Sequence, residues 1–368
     1  MLAKLIAADT TNPPGNETRA VKIVADFLRE LQIKYHIHGK EKRRENILWT
    51  LGSGPKEIFI AAHTDVVPIG GKWKTNPMKL VPRSGNFIGR GVVDNKGVLA
   101  ALLVATKILQ PIESRLSHRI VFAAVADEEM GSEFGMKYLL EKKIVRPSVA
   151  IIPDSCGENH RVIIAEKGAL HLKIKAFGKQ GHGSMPESSI NAIFVLKDFL
   201  CRVQKMKFTK KGQWLTATTI SVGAFHAGTV ANIIPAEAEL LLDIRYPPTE
   251  SKARILQRIK TIADTEARRW KTQPFQIEIL VDMPASETDS KHPLVYATVN
   301  AIKKITGKKP RVVGMPGFTV AGFLRSQKIP TVSFGPGKPQ ECHRVNEKVA
   351  ERELFEFVKI VVELLKIF

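Results

Sequence analysis

The sequence predicts an α/β protein in which one domain is interrupted by a smaller, inserted α+β domain. Three observations lead to this prediction. The chain has 368 residues, which exceeds the size at which a single compact core usually stops growing. In the first half, continuous apolar runs alternate with helical patterns, whereas from about Glu166 apolar and polar residues alternate one by one. The first pattern resumes at about Pro284.

The first half contains two predicted strands and two predicted helices. The spacing of apolar residues in 17–33 predicts an amphipathic helix, and that in 98–109 predicts a largely buried one. Residues 57–62 (EIFIAA) and 119–126 (RIVFAAVA) are continuous apolar runs, which are typical of strands buried on both faces. Strands and helices that alternate in this way indicate an α/β layer architecture.

The inserted domain is predicted to comprise residues 169–283, so that the interrupted domain comprises 1–168 and 284–368. Residues 169–177 alternate strictly and 236–244 more loosely, as in strands with one exposed face, and a helical pattern follows each of them. The remaining predicted elements are helices at 189–203, 250–270, 292–305 and 348–367 and a strand near 329–334.

The net charge of +20 is unusual, whereas the 44% of hydrophobic and 25% of charged residues are ordinary for a globular protein. Basic residues cluster at 40–44, 205–211 and 303–309. Such clusters could follow a nucleic-acid backbone, or they could form a solvated surface suited to anionic substrates. Because no nucleic-acid-binding motif accompanies them, we expect no nucleic-acid partner.

We expect a cytoplasmic protein. The first 17 residues have only a short apolar stretch and no cleavage-site pattern, so we expect no signal peptide. No apolar run approaches the ~20 residues needed to cross a bilayer, so we expect no membrane partner. Cys156, Cys201 and Cys342 form no C-x-x-C pair, and their odd number argues against a disulfide framework.

Five segments each place an acid or a histidine at the end of an apolar strand. In an open α/β sheet, ligands bind beyond the carboxyl ends of the strands, so these side chains should converge on one crevice. Taken alone, each has an ordinary explanation as a core or surface histidine, a turn aspartate, or an acid that opens a helix. Those explanations account poorly for the whole set. The residues are His63 and Asp65, Asp94, Glu128 and Glu129, Asp154, and His343.

These residue types suit a site for two metal ions. Zinc accepts imidazole nitrogen and carboxylate oxygen at ~2.0 Å, and two ions ~3.5–4 Å apart need a bridging carboxylate. Two histidines and three acids supply such a site, which leaves a fourth acid free to act as a general base. Asp65 lies on the same side of an extended chain as His63, where it is placed to accept the ring N–H of His63.

The motifs HTDVVP, GRGVVDNKG, ADEEMGS and CHRVNE, together with Asp154, resemble those of a family of di-zinc hydrolases. The family comprises acetylornithine deacetylase, succinyl-diaminopimelate desuccinylase, aminoacylase and carboxypeptidase. TTNPPGNE near the N-terminus and SFGPG before the last histidine also resemble it, so the motifs occur in order over nearly the whole chain. The resemblance implies a zinc-peptidase-like domain with helices around a mixed sheet, interrupted by a lid and dimerisation domain.

The resemblance also implies a role for each residue of the set. Asp94 would bridge two Zn²⁺ ions, for which Co²⁺ or Mn²⁺ are possible substitutes, and Glu128 would be the general base. The family often has a cis peptide bond after its bridging aspartate, so we expect one between Asp94 and Asn95. The remaining ligands would be His63 and Asp154 for one ion and Glu129 and His343 for the other.

Five further residues match positions through which the family contacts its substrate. His182 matches a histidine that is offered to the scissile carbonyl, often from a partner subunit, which implies a possible homodimer. Asn232 and Arg245 match residues that contact the substrate carboxylate, and Gly317 and Thr319 match a loop that lines the pocket. Turns around His182 and Asn232 and a surface charge at Arg245 are the structural alternatives.

The implied reaction is metal-dependent hydrolysis of the amide bond of small N-acyl-L-amino acids. The alternatives are a di- or tripeptidase or carboxypeptidase with the same mechanism, and a non-catalytic binding protein, although the latter should have lost a ligand or the base. Two segments depart from the family pattern. Residues 320–322 (VAG) replace an Asp and an Arg, and 166–168 (EKG) replaces the Arg pair of desuccinylases, so the preferred acyl group stays open.

Overall fold

The computed structural model describes residues 1–154 and 157–368, so Cys156 lies outside the described part of the chain. The chain divides into two compact units. The first comprises Met1–Ile164, Thr288–Val313 and Thr319–Phe368, and the second comprises Ala165–Glu287 and Gly314–Phe318.

Helices and strands alternate through most of the chain. The helices of the described residues are α1 (Leu2–Ala7), α2 (Thr18–Glu30), α3 (Lys96–Leu109), α4 (Met136–Glu141), α5 (Ala192–Gln204), α6 (Lys252–Trp270), α7 (Pro293–Thr306), α8 (Ala321–Ser326) and α9 (Glu351–Ile367). The strands are β1 (Tyr35–Gly39), β2 (Glu45–Leu51), β3 (Glu57–His63), β4 (Val81–Arg83), β5 (Asn86–Ile88), β6 (Arg119–Val125), β7 (Val149–Ile151), β8 (Arg161–Glu166), β9 (Gly168–Phe177), β10 (Gly181–His182), β11 (Thr219–Ala227), β12 (Ile233–Ile234), β13 (Glu237–Tyr246), β14 (Gln276–Met283), β15 (Ser286–Glu287), β16 (Arg311–Met315), β17 (Thr331–Val332) and β18 (Lys348–Ala350).

The first unit is built on a six-stranded mixed sheet with the order β1-β2-β6-β3-β7-β17. Strands β6, β3, β7 and β17 are parallel, and β1 and β2 extend the sheet in antiparallel pairing. Successive side chains of a strand point to opposite faces. Val121, Ala123 and Val125 of β6 therefore share a core cluster with residues of α4 and α8, and Phe122 stacks on Trp49, with the two ring centroids 5.4 Å apart.

The three central parallel strands bring the predicted site residues to one edge of this sheet. His63 is the last residue of β3, Glu128 follows the end of β6, and Asp154 follows the end of β7. Parallel strands have their carboxyl ends at the same edge, which is where open α/β sheets bind ligands. The fold thus groups residues that are distant in the sequence.

The second unit is an α+β unit with a four-stranded antiparallel sheet in the order β11-β13-β9-β14. Alternate residues of β9 and β13 are buried, and they form one core cluster with apolar residues of α5 and α6. The other residues of these strands are only partly buried, so the sheet has one open face, as the alternation predicted. The edge strands β11 and β14 were missed because most of their residues are exposed on both faces.

The predicted α/β class is confirmed, and most predicted elements are present with shifts of a few residues at their ends. One prediction of secondary structure is wrong. Residues 348–350 were assigned to the C-terminal helix, but they form β18, which pairs with β5 in antiparallel register. The backbone there bonds to the neighbouring strand, so the helix begins only at Glu351.

One helical stretch of the described residues, Lys96–Arg115, is long and apolar enough to cross a membrane by length and composition alone, contrary to our expectation. Its mean hydropathy over the best window is 1.3, and 56% of that window is buried inside the fold. Trp49 on β2 contacts this helical stretch, and its indole Nε1 donates a hydrogen bond to Thr106 Oγ1 at 3.0 Å. These contacts are those of a core helix in a globular protein.

We expect Thr106→Val to lower the free energy of unfolding by about 1–3 kcal/mol, because the buried indole N–H of Trp49 loses its acceptor. Chemical denaturation measures this change. Thr298→Val is the matched control, since Thr298 is also fully buried and its hydroxyl also donates to the carbonyl four residues earlier. An equal loss in both variants would contradict the assignment of this stability to the indole bond.

Candidate metal centre

The carboxylate of Asp94 lies between two imidazoles. Its Oδ1 is 2.9 Å from Nε2 of His63, and its Oδ2 is 3.0 Å from Nε2 of His343. Each carboxylate oxygen thus faces one ring nitrogen, and both nitrogens are of the type that binds zinc. The carboxylate of Asp94 therefore contacts both histidines.

The remaining acids lie beside one histidine or the other. Glu129 Oε2 lies 3.2 Å from His343 Nε2, whereas Asp154 Oδ1 lies 3.7 Å from His63 Nε2. Ligand atoms of His63, Asp94 and Glu129 lie within 4.8 Å of one another, and so do those of His63, Glu128 and Asp154. The adjacent acids Glu128 and Glu129 thus belong to different sets of possible ligands, and His63 belongs to both sets.

His63 is held by Asp65, although chiefly through the backbone. The ring Nδ1 of His63 is 3.0 Å from the carbonyl oxygen of Asp65 and 3.4 Å from its carboxylate. The carboxylate of Asp65 instead accepts the backbone N–H groups of Glu128 at 3.1 Å and Glu129 at 3.2 Å. Asp65 therefore connects the end of β3 to the turn that carries both glutamates, a connection that the sequence analysis did not anticipate.

Asp94 lies in a tight loop that Glu347 organises. The buried carboxylate of Glu347 accepts the backbone N–H groups of Gly91 at 3.1 Å, Val93 at 2.8 Å and Asp94 at 3.2 Å. Gly91 has a φ of 88°, a region that glycine enters at no steric cost. The expected cis peptide bond between Asp94 and Asn95 is present.

Glu128 and Glu129 lie in a short 3₁₀ turn, Glu128–Met130, directly after Asp127. Asp127 has a left-handed backbone conformation with a φ of 62°, which aspartate tolerates better than most residues. The Oε1 atom of Glu129 is buried and has no hydrogen-bond partner among the described residues. A cation bound by Glu129 would satisfy this atom, so the donor set fits a metal ion.

The acids of the site lie close together in a region of low water access, and this arrangement shifts the pKa values of the side chains. Burial, followed by the negative charge of Asp154, raises the pKa of Glu128 well above its usual value. Burial opposes protonation of the His63 ring, but the carboxylates of Asp154, Asp65 and Asp94 outweigh it and raise its pKa well above the usual value. Hydrogen bonds to Asp94 and Glu129 raise the pKa of His343 to about 11. The site therefore favours positive charge strongly.

The predicted substrate-contacting residues His182, Asn232 and Arg245 belong to the second unit, whereas the candidate metal ligands belong to the first. His182 lies on β10, exposed, with Nδ1 2.7 Å from Ser184 Oγ, and the neighbouring Gly183 N–H donates to the Asn232 carbonyl at 2.9 Å. His182 and Asn232 are thus neighbours in the second unit. Arg245, at the end of β13, is paired with Asp243 through Nε at 2.7 Å and Nη2 at 3.1 Å.

The two loop residues fall on different sides of a unit boundary. Gly317 belongs to the second unit and Thr319 to the first. Thr319 is buried, and its hydroxyl accepts the Ala321 N–H at 3.2 Å at the start of α8. Its hydroxyl thus bonds to the first residue of α8.

The sequence analysis missed several buried polar residues that surround the candidate metal ligands. Arg44 was assigned to a basic surface cluster, but only 8% of it is exposed, and it pairs with Glu17 and Asp127. Asn12 bonds to Asp65 and Asp127. The motifs TTNPPGNE and CHRVNE contain Asn12, Glu17 and Glu347, so their resemblance to the family was the available signal. Arg44 had no such signal.

Comparisons with known proteins identify the family and the fold of the chain. A model of peptidase family M20/M25/M40 matches residues 59–367. The chain is 30% identical over 347 residues to an uncharacterized metallohydrolase of Methanocaldococcus jannaschii, covering 88% of this chain and 84% of that protein. It is 30% identical over 352 residues to acetylornithine deacetylase of Proteus mirabilis, covering 93% and 87%. A solved tripeptidase of Staphylococcus aureus has a TM-score of 0.84 at 20% identity, covering 100% and 96%, which shows a shared fold.

We expect metal binding to release protons at neutral pH. The pKa values of His63 and His343 are raised, and so are those of Glu128 and Glu129. Each group that carries a proton must lose it when a metal ion binds, so binding should release protons and the affinity should increase as the pH rises. Calorimetric titration with zinc in buffers of different ionisation enthalpy measures this release. Binding without proton release, and with equal affinity at pH 6 and pH 8, would contradict the expectation.

Proposed function

Because the chain belongs to peptidase family M20/M25/M40, whose members hydrolyse amide or peptide bonds, we propose that it hydrolyses the amide bond of small N-acyl-L-amino acids with two bound zinc ions. The family resemblance drawn from the motifs is confirmed, and so is the class of enzyme, a hydrolase. The substrate class and the identity and number of the metal ions are the proposed part.

The observation that carries the proposal is the position of Asp94 between His63 and His343. We propose Asp94 as the bridging ligand, His63 and Asp154 as the further ligands of one ion, and Glu129 and His343 as those of the other. The set combines imidazole nitrogen with carboxylate oxygen, which zinc accepts, with Co²⁺ or Mn²⁺ as substitutes. When bound, such ions polarise a carbonyl group and acidify water.

Glu128 is the proposed general base. It belongs to the group of His63 and Asp154, and burial and nearby acids raise its pKa. Positive charge added at the donors lowers the pKa of an adjacent carboxyl group, which leaves Glu128 able to accept a proton from the attacking water. It would then pass this proton to the leaving amine. Asp65 would hold His63 and the turn that contains Glu128 and Glu129, which we call the glutamate turn.

We propose that the inserted unit is a lid and dimerisation domain that supplies His182, Asn232 and Arg245. Arg245 bonds to Asp243 through Nε and Nη2, and Nη2 also lies 3.4 Å from His171 Nε2. A guanidinium group has five N–H donors, so the two on Nη1 would be those that bind a substrate carboxylate. Gly317 and Thr319 would line the pocket.

Exposed apolar residues at the edges of the second unit's sheet support a homodimer. Val222 and Phe225 on β11 are 40% and 38% exposed, and Ile279 and Leu280 on β14 are 46% and 47% exposed. Edge strands with such residues are common association surfaces. We also propose a cytoplasmic location.

A substrate panel tests the proposed class. The zinc-loaded protein should hydrolyse acetyl-ornithine, succinyl-diaminopimelate or acetyl-methionine with a higher kcat/KM than dipeptides or tripeptides. A preference for the peptides would replace the proposal with the peptidase alternative. If none of these substrates is hydrolysed although metal ions are bound, a binding protein on the same fold becomes the better account.

The two adjacent glutamates should differ in function. We expect Glu128→Gln to keep both metal ions and the fold but to lose turnover by ~10²–10⁴, because the amide cannot accept a proton from water. Glu129→Ala should instead lose or weaken one ion. Metal content and kcat should be measured side by side for both variants. If Glu128→Gln loses an ion while Glu129→Ala keeps two, the roles are reversed, and full activity of Glu128→Gln would refute the mechanism.

A further inference from the structure

We propose that Asn12 and Arg44 are positioning residues that fix the backbone of Glu128 and Glu129 through the carboxylates of Asp65 and Asp127. The proposal rests on the proposed function for the roles of the two glutamates. All of the residues concerned belong to the first unit, and the contacts are a continuous set of buried hydrogen bonds.

Asn12 connects the two carboxylates on either side of the glutamate turn. Its amide Nδ2 donates to Asp65 Oδ2 at 2.8 Å and to Asp127 Oδ1 at 3.0 Å. The amide group has two N–H donors, and this arrangement uses both. Asn12 itself is 2% exposed, and its backbone N–H donates to the Val66 carbonyl at 2.9 Å. A single side chain thus holds together two anions that would otherwise repel each other.

Arg44 supplies the positive charge next to these anions. Its Nη2 donates to Asp127 Oδ1 at 2.7 Å, and its Nε and Nη2 donate to the two carboxylate oxygens of Glu17 at 2.8 Å and 2.9 Å. The guanidinium group also lies over the ring of Phe134, 4.6 Å from its centroid. Such a planar, bidentate arrangement suits arginine and cannot be reproduced by lysine.

Asp127 is fixed through both its backbone and its side chain. Its N–H donates to Glu17 Oε1 at 3.2 Å, and its Oδ2 accepts the Phe134 N–H at 3.2 Å. Asp127 has the left-handed conformation that directs the chain from β6 into the glutamate turn. The residue before Glu128 is therefore held by Glu17, Arg44 and Asn12 together, rather than by its own backbone preference.

The contacts reach the two glutamates directly. Asp65 accepts the N–H of Glu128 on Oδ1 and the N–H of Glu129 on Oδ2, and Oδ2 is also the atom that Asn12 holds. A shift of Asp65 or Asp127 therefore moves the peptide groups of both glutamates. Polar residues behind metal ligands and catalytic groups fix orientation, and their loss typically costs ~10–100-fold in metal affinity or activity.

The test compares Asn12→Leu and Arg44→Lys with controls from the same segments. Asn12→Leu keeps the size of the side chain and removes both donors, whereas Arg44→Lys keeps the charge and removes the bidentate contact. Asn16→Leu and Arg43→Lys are the controls, because they make the same chemical changes in partly or fully exposed side chains. Two quantities should be measured on the full-length protein: kcat and KM per folded, zinc-loaded molecule, and the hydrogen exchange of the Glu128 and Glu129 amides without metal.

We expect both test variants to lower kcat by ~10–100-fold with a smaller change in KM, and to raise the exchange rate of the two amides by roughly tenfold. Both controls should behave like the wild type. If Asn12→Leu does not fold, the charge-conserving Arg44→Lys decides. Wild-type kcat and exchange in the test variants would overturn the proposal, and so would a loss of folded protein with unchanged kcat per folded molecule.

The exchange measurement separates this proposal from the proposed function. If the wild type hydrolyses no acyl-amino acid, the proposed function fails, but unprotected amides in the test variants would still support the positioning role. If Glu128→Gln is inactive while Asn12→Leu and Arg44→Lys retain wild-type kcat and exchange, the function stands and the positioning role is wrong.

Discussion

The candidate metal centre is organised around one carboxylate that lies between two imidazoles. Asp94 presents one oxygen to His63 and the other to His343. Three further acids surround it, so negative charge accumulates where little water can screen it. Burial raises the pKa of Glu128 and Glu129, and nearby acids raise the pKa of both histidines. A site of this composition is stabilised by positive charge, which metal ions supply.

The fold meets this constraint with two kinds of support. The parallel strands β3, β6 and β7 end at one edge of the sheet and bring His63, Glu128 and Asp154 together. Loops supply Asp94 and His343, which regular structure does not fix. Glu347 compensates for this, because its buried carboxylate accepts three backbone N–H groups of the Asp94 loop. The strands therefore group the donors, and buried polar residues orient them.

A feature of this fold or of its candidate site could be predicted only where the sequence carries a physical signal for it. Apolar runs such as 57–62 and 119–126 identify strands buried on both faces, because nearly every residue of such a strand is apolar. The edge strands β11 and β14 carry no such signal, since most of their residues are exposed. The expected placement at strand ends is correct for His63, Glu128 and Asp154, whereas Asp94 and His343 lie in loops, so that part of the expectation is wrong. The roles of these residues as ligands stay predictions. Arg44 could not be found, because a buried arginine and a surface arginine look the same in a basic stretch of sequence.

The exposed and the buried positively charged residues of this protein differ in their contacts. Of the cluster at 40–44, Arg44 is buried against Glu17 and Asp127, while Arg43 beside it is exposed. Adjacent residues of the same charge thus serve different purposes, and the sum of +20 does not distinguish them. Mutations of buried and exposed cations in this segment should therefore not be grouped.

We propose that Asp94 bridges two metal ions, one beside His63 and one beside His343. A crystal structure of the zinc-loaded protein, with anomalous scattering measured above and below the zinc absorption edge, tests this bridge. We expect two anomalous peaks ~3.5–4 Å apart, each within ~2.2 Å of a different oxygen of Asp94. A single peak, or two peaks of which one has no contact with Asp94, would contradict it.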